Sequence, residues 1–464
     1  MNELTRPYQS YVYAYPHKTA YRPLRPRPAL AEVWRGEQRD ALSFYAHIPF
    51  CEVRCGFCNL FTRVVGAPDG LTARYLDALD RQARQAAAAL EPSPPRFANA
   101  AFGGGTPTFL EPAELSRLFD IAEKRLHVEF GGIPLSVEAS PSTATPDRLG
   151  VLAERGTTRL SLGVQSFDEA EARAAVRPQK AADVERALAA VRESGIPILN
   201  IDLIYGIEGQ TAASFLRSID AALAWRPEEL YLYPLYVRPL TGLARIGAGG
   251  GGGERTDAAG RDAGAGADAD GDAAWDAQRL RLYRAGRDHL LAAGYAQVSM
   301  RMFRRVDSPV IVGGKDYACQ TDGMIGLGCG ARSYTSSLHY SFDYAVSAHE
   351  VRGIIDDFIG TEDFGHAEVG FRLDEGEQRR RHLVQSLLQA DGVDTAAYER
   401  RFGTRPEDDF RTELALLAER GFLAAADTSA ALRLTPDGLA WSDSIGPLLF
   451  SAPVRAAMRA YALR

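Results

Sequence analysis

From about residue 43 to residue 235 the chain alternates short apolar runs with amphipathic stretches, the pattern of strands and helices that build a parallel sheet. The runs at 44–48, 98–102, 135–138, 159–163, 198–204 and 230–235 read as strands. The stretches at 73–90, 112–126, 146–154, 181–193 and 212–224 read as the helices between them. Six such units predict an α/β fold, a partial (β/α)6 barrel. In such barrels the groups that do chemistry gather where the strands end, so the residues just after each apolar run are the ones to inspect.

The first strand runs into His47-Ile-Pro-Phe-Cys-Glu-Val-Arg-Cys-Gly-Phe-Cys-Asn59, which sets Cys51, Cys55 and Cys58 in a C-x3-C-x2-C array. Three thiolates hold three corners of a cubane iron-sulfur cluster and leave one iron open to another ligand. The alternative is a structural zinc with His47 as fourth ligand. The second strand ends in Gly103-Gly-Gly-Thr-Pro107, where a ligand can approach the backbone closely, although a tight turn asks for the same residues. Glu138 stands at the third mouth, able to accept both hydrogen bonds of a ribose diol or to make an ordinary salt bridge. Gln165 follows the fourth strand, and Arg177, twelve positions on, is a fork for a carboxylate or a surface arginine. Asp202 lies on a strand otherwise too apolar to face solvent and therefore needs a partner. On the sixth strand tyrosines recur at alternate positions, and Tyr233 either stacks on an adenine or packs the core.

With 53 basic against 60 acidic residues the net charge of -7 argues against a general polyanion binder, so nucleic acid is not an expected partner. No apolar run reaches the roughly 18 residues needed to span a bilayer, and the first residues lack the apolar stretch of a signal peptide. Five cysteines, three of them in one metal-like array, suit a reducing compartment better than a disulfide framework. The expected location is the cytoplasm.

The organisation expected is an N-terminal arm (1–42), the barrel (43–246), a disordered Gly/Ala/Asp loop (247–272), a barrel extension on the substrate side (273–370) and a helical, winged-helix-like C-terminal domain (371–464). Tyrosines and prolines crowd the arm, as in Tyr13-Ala-Tyr-Pro-His-Lys-Thr-Ala-Tyr-Arg-Pro-Leu24, where the aromatics beside Lys18 and Arg22 either contact a flat anionic substrate or pack the arm onto the domain. The loop reads as a passive insertion on the outside of the barrel. A helix over 275–292 and a single strand over 295–303 follow it. In Gly323-Met-Ile-Gly-Leu-Gly-Cys-Gly-Ala-Arg-Ser333, Arg332 is a candidate for a substrate propionate and Cys329 for a propionate or a heme iron, or the stretch is a close-packed turn.

The cysteine array, with Phe57 before its last cysteine, resembles the signature of the radical S-adenosylmethionine (SAM) enzymes. With the flanking Tyr45-Ala-His-Ile-Pro-Phe-Cys51, residues 43–464 resemble the oxygen-independent coproporphyrinogen III dehydrogenase family, which also holds heme chaperones and radical methyltransferase relatives. The resemblance implies a [4Fe-4S] cluster on Cys51, Cys55 and Cys58 and a catalytic position at Tyr45. It implies a SAM site at Phe57, Gly104, Gly105, Thr106, Glu138, Gln165, Arg177, Asp202 and Tyr233. It implies a tetrapyrrole substrate, losing carbon dioxide from two propionates, and an electron donor such as flavodoxin or ferredoxin. The same family leaves two other readings: a heme carrier, for which His289, His339 and Cys329 are the available iron ligands, and a methyltransferase using two SAM molecules.

Overall fold

The computed structural model describes residues 4–66, 70–177, 179–249, 269–309, 318–424 and 431–462. Its centre is the expected alternation. Strands β1 (Leu42–Ile48), β2 (Phe97–Gly104), β3 (Leu135–Ala139), β4 (Arg159–Gln165), β5 (Ile198–Tyr205) and β6 (Glu229–Pro234) lie side by side and parallel in chain order. Helices α1 (Leu71–Ala89), α2 (Pro112–Leu126), α3 (Pro146–Glu154), α4 (Ala181–Glu193) and α5 (Ala212–Leu223) connect them. Helix α2 shows why the spans are well defined: Pro112 opens it, a reciprocal cap joins Glu111 and Glu114, and His127 in left-handed conformation ends it. Its apolar stripe, Leu115, Leu118, Phe119, Ala122 and Leu126, recurs at helical spacing and is buried.

The sheet is larger than six strands because both of its edges are extended. After α6 (Ala269–Ala292), the predicted single strand 295–303 is instead a hairpin, β7 (Tyr295–Gln297) and β8 (Met302–Arg305), with β8 antiparallel to β6. The chain turns because Ser299 Oγ accepts the N–H groups of Arg301 and Met302, a local alternative to ladder bonding. On the other edge β9 (Met324–Leu327) adds a seventh parallel strand against β1, where the sequence suggested a glycine-rich turn. Gly326 permits this, since a Cβ there would run into the Arg332 carbonyl. Strands β10 (Arg332–Tyr334), β11 (Leu338–Ser341) and β12 (Val369–Arg372) continue in antiparallel fashion, and Arg22–Pro23 of the arm pairs with β12 to complete thirteen strands.

The arm belongs to two cores. Tyr8 packs into the barrel's core, whereas Leu4, Tyr15 and Ala20 are buried among the C-terminal helices. Those helices, among them Glu375–Leu387, Arg411–Glu419 and Ala452–Arg459, accompany a small ribbon in which Val393–Asp394 pairs with Ala431–Leu432. The expected passive loop is narrower than 247–272, for helices Gly242–Gly249 and α6 reach into it from both sides. Asp272 also pairs with Arg6 at 3.1 Å, so that end of the segment is tied to the arm. The rest of that loop, 250–268, and Pro178 lie outside the described residues. Among the described residues, no helix is long and apolar enough to cross a membrane.

Candidate active site

The C-terminal ends of β1 to β6 open into one cavity of about 1040 Å³. Every residue singled out at the strand mouths lines it: Tyr45, Cys51, Cys55, Phe57, Cys58, Gly104, Gly105, Thr106, Glu138, Gln165, Arg177, Asp202 and Tyr233. Residues separated by nearly 190 positions meet because each parallel strand delivers its last side chains to the same rim.

The thiol loop is held by backbone on two sides. Gly56 N–H donates to the Ala175 carbonyl at 3.2 Å, and Gly56 O accepts from Leu243 N–H at 2.9 Å. A Cβ on Gly56 would fall 2.6 Å from Val176 Cβ, so glycine is what lets the loop lie against residues 175–176. Arg177 then reaches in: Nη1 donates to Cys55 Sγ at 2.9 Å and Nη2 to the Gly163 carbonyl at 2.6 Å. Cys51 Sγ lies 3.6 Å from Thr106 Oγ1. Backbone strain collects here as well, with Gln165 at φ 71° beside a register shift in β4 and Val176 at φ 51°, a conformation unfavourable for a β-branched side chain.

The glycine run serves close approach. A Cβ at Gly105 would stand 2.6 Å from the Phe50 carbonyl and 3.0 Å from Cys51 Sγ; one at Gly104, where φ is 118°, would meet the His47 ring at 2.7 Å. Gly104 N–H donates to Glu138 Oε2 at 3.1 Å. More than a third of Glu138 stays open to the cavity, yet the surrounding protein pushes its carboxyl up toward about 7, opposed by that hydrogen bond. Asp202 is raised to about 6 by burial, with Asn200 Nδ2 donating to its Oδ1 at 2.7 Å as the opposing influence. Tyr233 stacks on Tyr231 with centroids 5.7 Å apart and meets Tyr11 of the arm edge-on.

His47 is not arranged as a fourth metal ligand. Its Nδ1 is paired with Tyr45 Oη at 3.3 Å and its Nε2 with the Phe61 carbonyl at 3.1 Å, and burial pushes its pKa down to about 4. Among the described residues no three His, Cys, Asp or Glu side chains could hold one metal ion. Separate thiols on one wall suit a cluster, in which each cysteine ligates its own iron. Burial raises the Cys51 thiol to about 12, so a bound cation is what would convert it to thiolate.

The suggested heme ligands are engaged elsewhere. His289 pairs with Asp220 at 2.6 Å on the outer helices, and His339 Nε2 with Arg381 at 2.9 Å inside the extension. Cys329 reaches the cavity wall, its sulfur fully buried 3.8 Å from Tyr75 Oη. Arg22 is turned away from the cavity, donating to the Thr19, Tyr21 and Ala457 carbonyls. The arm nevertheless lines the site through Tyr11, Tyr13, His17 and Lys18. Sequence reasoning pointed to the aromatics beside Lys18, in the stretch that begins at Tyr13, but not to Tyr11, whose signal was its alternation in Tyr11-Val-Tyr13-Ala-Tyr15.

The chain is similar to known proteins over both its barrel and its C-terminal part. The Radical SAM superfamily profile matches residues 45–222 and the HemN C-terminal domain profile residues 373–441. The oxygen-independent coproporphyrinogen III oxidase of Paracoccus denitrificans is 28% identical over 409 residues, 86% of this chain and 84% of that one. The heme chaperone HemW of Bacillus subtilis is 33% identical over 199 residues, 43% of this chain and 52% of that one. The solved structure of the Escherichia coli coproporphyrinogen III oxidase (HemN), described as a radical SAM enzyme, superimposes with a TM-score of 0.71 at 25% identity, covering 90% of this chain and 92% of that one. Radical SAM family members bind a [4Fe-4S] cluster and SAM.

Proposed function

Because the chain belongs to the radical SAM superfamily and is HemN-like over barrel and C-terminal domain, we propose that it is an oxidoreductase acting on a tetrapyrrole, converting propionates of coproporphyrinogen III to vinyl groups. The observation that carries this is one cavity holding both the three-thiol loop and a set of polar groups at successive strand mouths. Cys51, Cys55 and Cys58 hold the cluster, with Arg177 steadying Cys55. Glu138 and Asp202 take the ribose end of SAM, Gln165 and Arg177 its carboxylate end, and Gly104, Gly105 and Thr106 its amino end. Phe57 and Tyr233 border the cofactor, and Tyr45, between Glu138 and the extension, faces the reacting centre. When bound, the cluster and SAM supply an electron and a carbon-centred radical that removes hydrogen.

The residues' own task is alignment and the exclusion of water and oxygen. Each propionate gives up one hydrogen atom to the SAM-derived radical, releases carbon dioxide and passes one electron to an external one-electron acceptor, becoming a vinyl group. A flavodoxin- or ferredoxin-like donor in a reducing cytoplasm completes the proposal. A heme carrier using this cavity would need an iron ligand other than His289 or His339, since neither lines it.

The test is anaerobic incubation of iron-reconstituted protein with SAM, reductant and coproporphyrinogen III, followed by mass spectrometry of the porphyrins. Vinyl products are expected. SAM cleavage with unchanged coproporphyrinogen III removes the substrate from the proposal, and a methylated product replaces it with methyl transfer. Absence of SAM cleavage by protein with a full complement of iron removes the reaction class.

A further inference from the structure

The cavity has a second chemical character away from the mouths of β3 and β5. Lys18 Nζ lies 3.6 Å from the centroid of the Tyr344 ring, and the Arg332 guanidinium 4.7 Å from that of Tyr13. Both side chains line the cavity. Among the described residues neither has an acidic partner, and Arg332 Nη1 is buried without a hydrogen bond. Burial, and after it the charge of Arg332, holds Lys18 well below the ordinary lysine range, and His17 beside it is held neutral by burial, whereas the tyrosines around Arg332 favour its charged form. Two cations in protein surroundings without a counter-charge are unfavourable. A ligand anion removes that penalty.

The wall leading to these cations is aromatic. Tyr233 meets Tyr11 at 6.3 Å, Tyr11 meets Tyr13 at 5.3 Å, and Tyr13 meets His17 at 5.5 Å. This row, its rings tilted or edge-on to one another, runs from the mouth of β6 toward Lys18 and offers a flat molecule apolar edges and faces to pack on. The volume of about 1040 Å³ slightly exceeds the roughly 300–1,000 Å³ found for ligand sites, which leaves room for a substrate beside a cofactor.

We propose that Lys18 and Arg332 form a carboxylate subsite that clamps one acid group of a flat substrate lying along Tyr11 and Tyr13. Arg332 offers the planar fork that matches a carboxylate, and Lys18 a point charge on its other side. The arm and the extension, rather than the strand mouths, thereby select the substrate. The inference deepens the tetrapyrrole reading and rests on it for the identity of the acid group.

Two probes separate the subsite from that reading: coproporphyrin III, and the pair pyrene-1-carboxylate and pyrene-1-carboxamide, all followed by fluorescence titration of the full chain. The parent is expected to prefer the pyrene carboxylate over its carboxamide by about tenfold or more, as a charge-assisted pair requires. Lys18→Met and Arg332→Met should each erase most of that preference and weaken coproporphyrin III binding about tenfold, while Arg332→Lys restores part of it. Iron content after reconstitution and melting temperature identify any variant that has not folded, and Lys18→Gln and Arg332→Gln then replace it. Equal binding of both pyrene probes by the parent, or a preference that survives both substitutions, overturns the subsite. A preference lost in the variants without any binding of coproporphyrin III supports the subsite and overturns the tetrapyrrole.

Discussion

The cavity's two walls are built in different ways. The wall holding the thiols, Glu138 and Asp202 consists of strand ends, each a few residues beyond a run buried in the sheet, and its geometry follows from the parallel ladder β1 to β6. The other wall has no parallel ladder behind it, for Arg332 opens the antiparallel strand β10 and the remaining groups come from the arm and from loops. Lys18 meets Tyr344, Arg332 meets Tyr13, and Arg301 crosses the Tyr11 ring at 3.9 Å to pair with Asp443. Every one of these contacts joins segments far apart in the chain. A rigid wall of this kind suits chemistry that tolerates little misplacement, and an assembled wall can be rebuilt for another substrate without disturbing the sheet.

If the strand-mouth wall carries the chemistry, Cys51→Ala, Cys55→Ala or Cys58→Ala should each reduce cluster iron to near zero, while Cys319→Ala and Cys329→Ala keep it. Iron and sulfide analysis after anaerobic reconstitution decides this. Retention of full iron by any of the first three breaks the division between the walls.

The assembled wall depends on a buried pair. Arg301 is 8% and Asp443 1% exposed, with the ions 2.5 Å apart, and Tyr236 Oη donates to the same carboxylate at 2.6 Å. Asp443→Ala leaves Arg301 buried without its anion and should destabilise the fold by about 3–5 kcal/mol. Replacing both partners, Arg301→Met with Asp443→Leu, should recover much of that loss. Denaturant titration measures both, and a single variant as stable as the parent would show that the C-terminal helices are held by apolar packing alone.

The smallest effect belongs to the strand-mouth wall. Asp202 is raised to about 6 in the fold, so at intermediate pH the folded state binds a proton that the unfolded state has already lost. The associated stability is complete below the unfolded value of roughly 4 and is lost as pH rises through about 6. Asp202→Asn keeps an acceptor for Asn200 and removes that loss, so the cofactor-free variant should exceed the parent by about 1–2 kcal/mol near neutral pH and match it near pH 4. A difference independent of pH would mean that the carboxylate ionises there as freely as in water.

Much of the first wall was legible because its information is local. Predicted spans 112–126, 146–154 and 181–193 match the helices residue for residue, since an apolar stripe lies within each segment and Pro112 and Pro146 open the first two. The cysteine array and Glu138 could be placed at strand mouths without knowing the neighbouring strands. β9 was not legible, for its run is four residues flanked by glycine and its partner β1 lies some 280 positions earlier. The hairpin at Ser299 was hidden by an apolar composition that suited one longer strand.

By itself, then, the sequence determined the order of strands and helices and which side chains each strand carries to its mouth, because periodic burial is written along the chain. Tertiary structure alone decided that His47 is shut beneath Gly104 and Gly330 rather than free to bind metal, and that Arg22 turns toward Ala457 while Arg332 is left without an acid. Such contacts close loops of hundreds of residues, whose entropic cost grows only slowly with length. No local pattern therefore marks which distant partners will meet, and the wall they form becomes visible only when the core has brought arm, extension and C-terminal helices together.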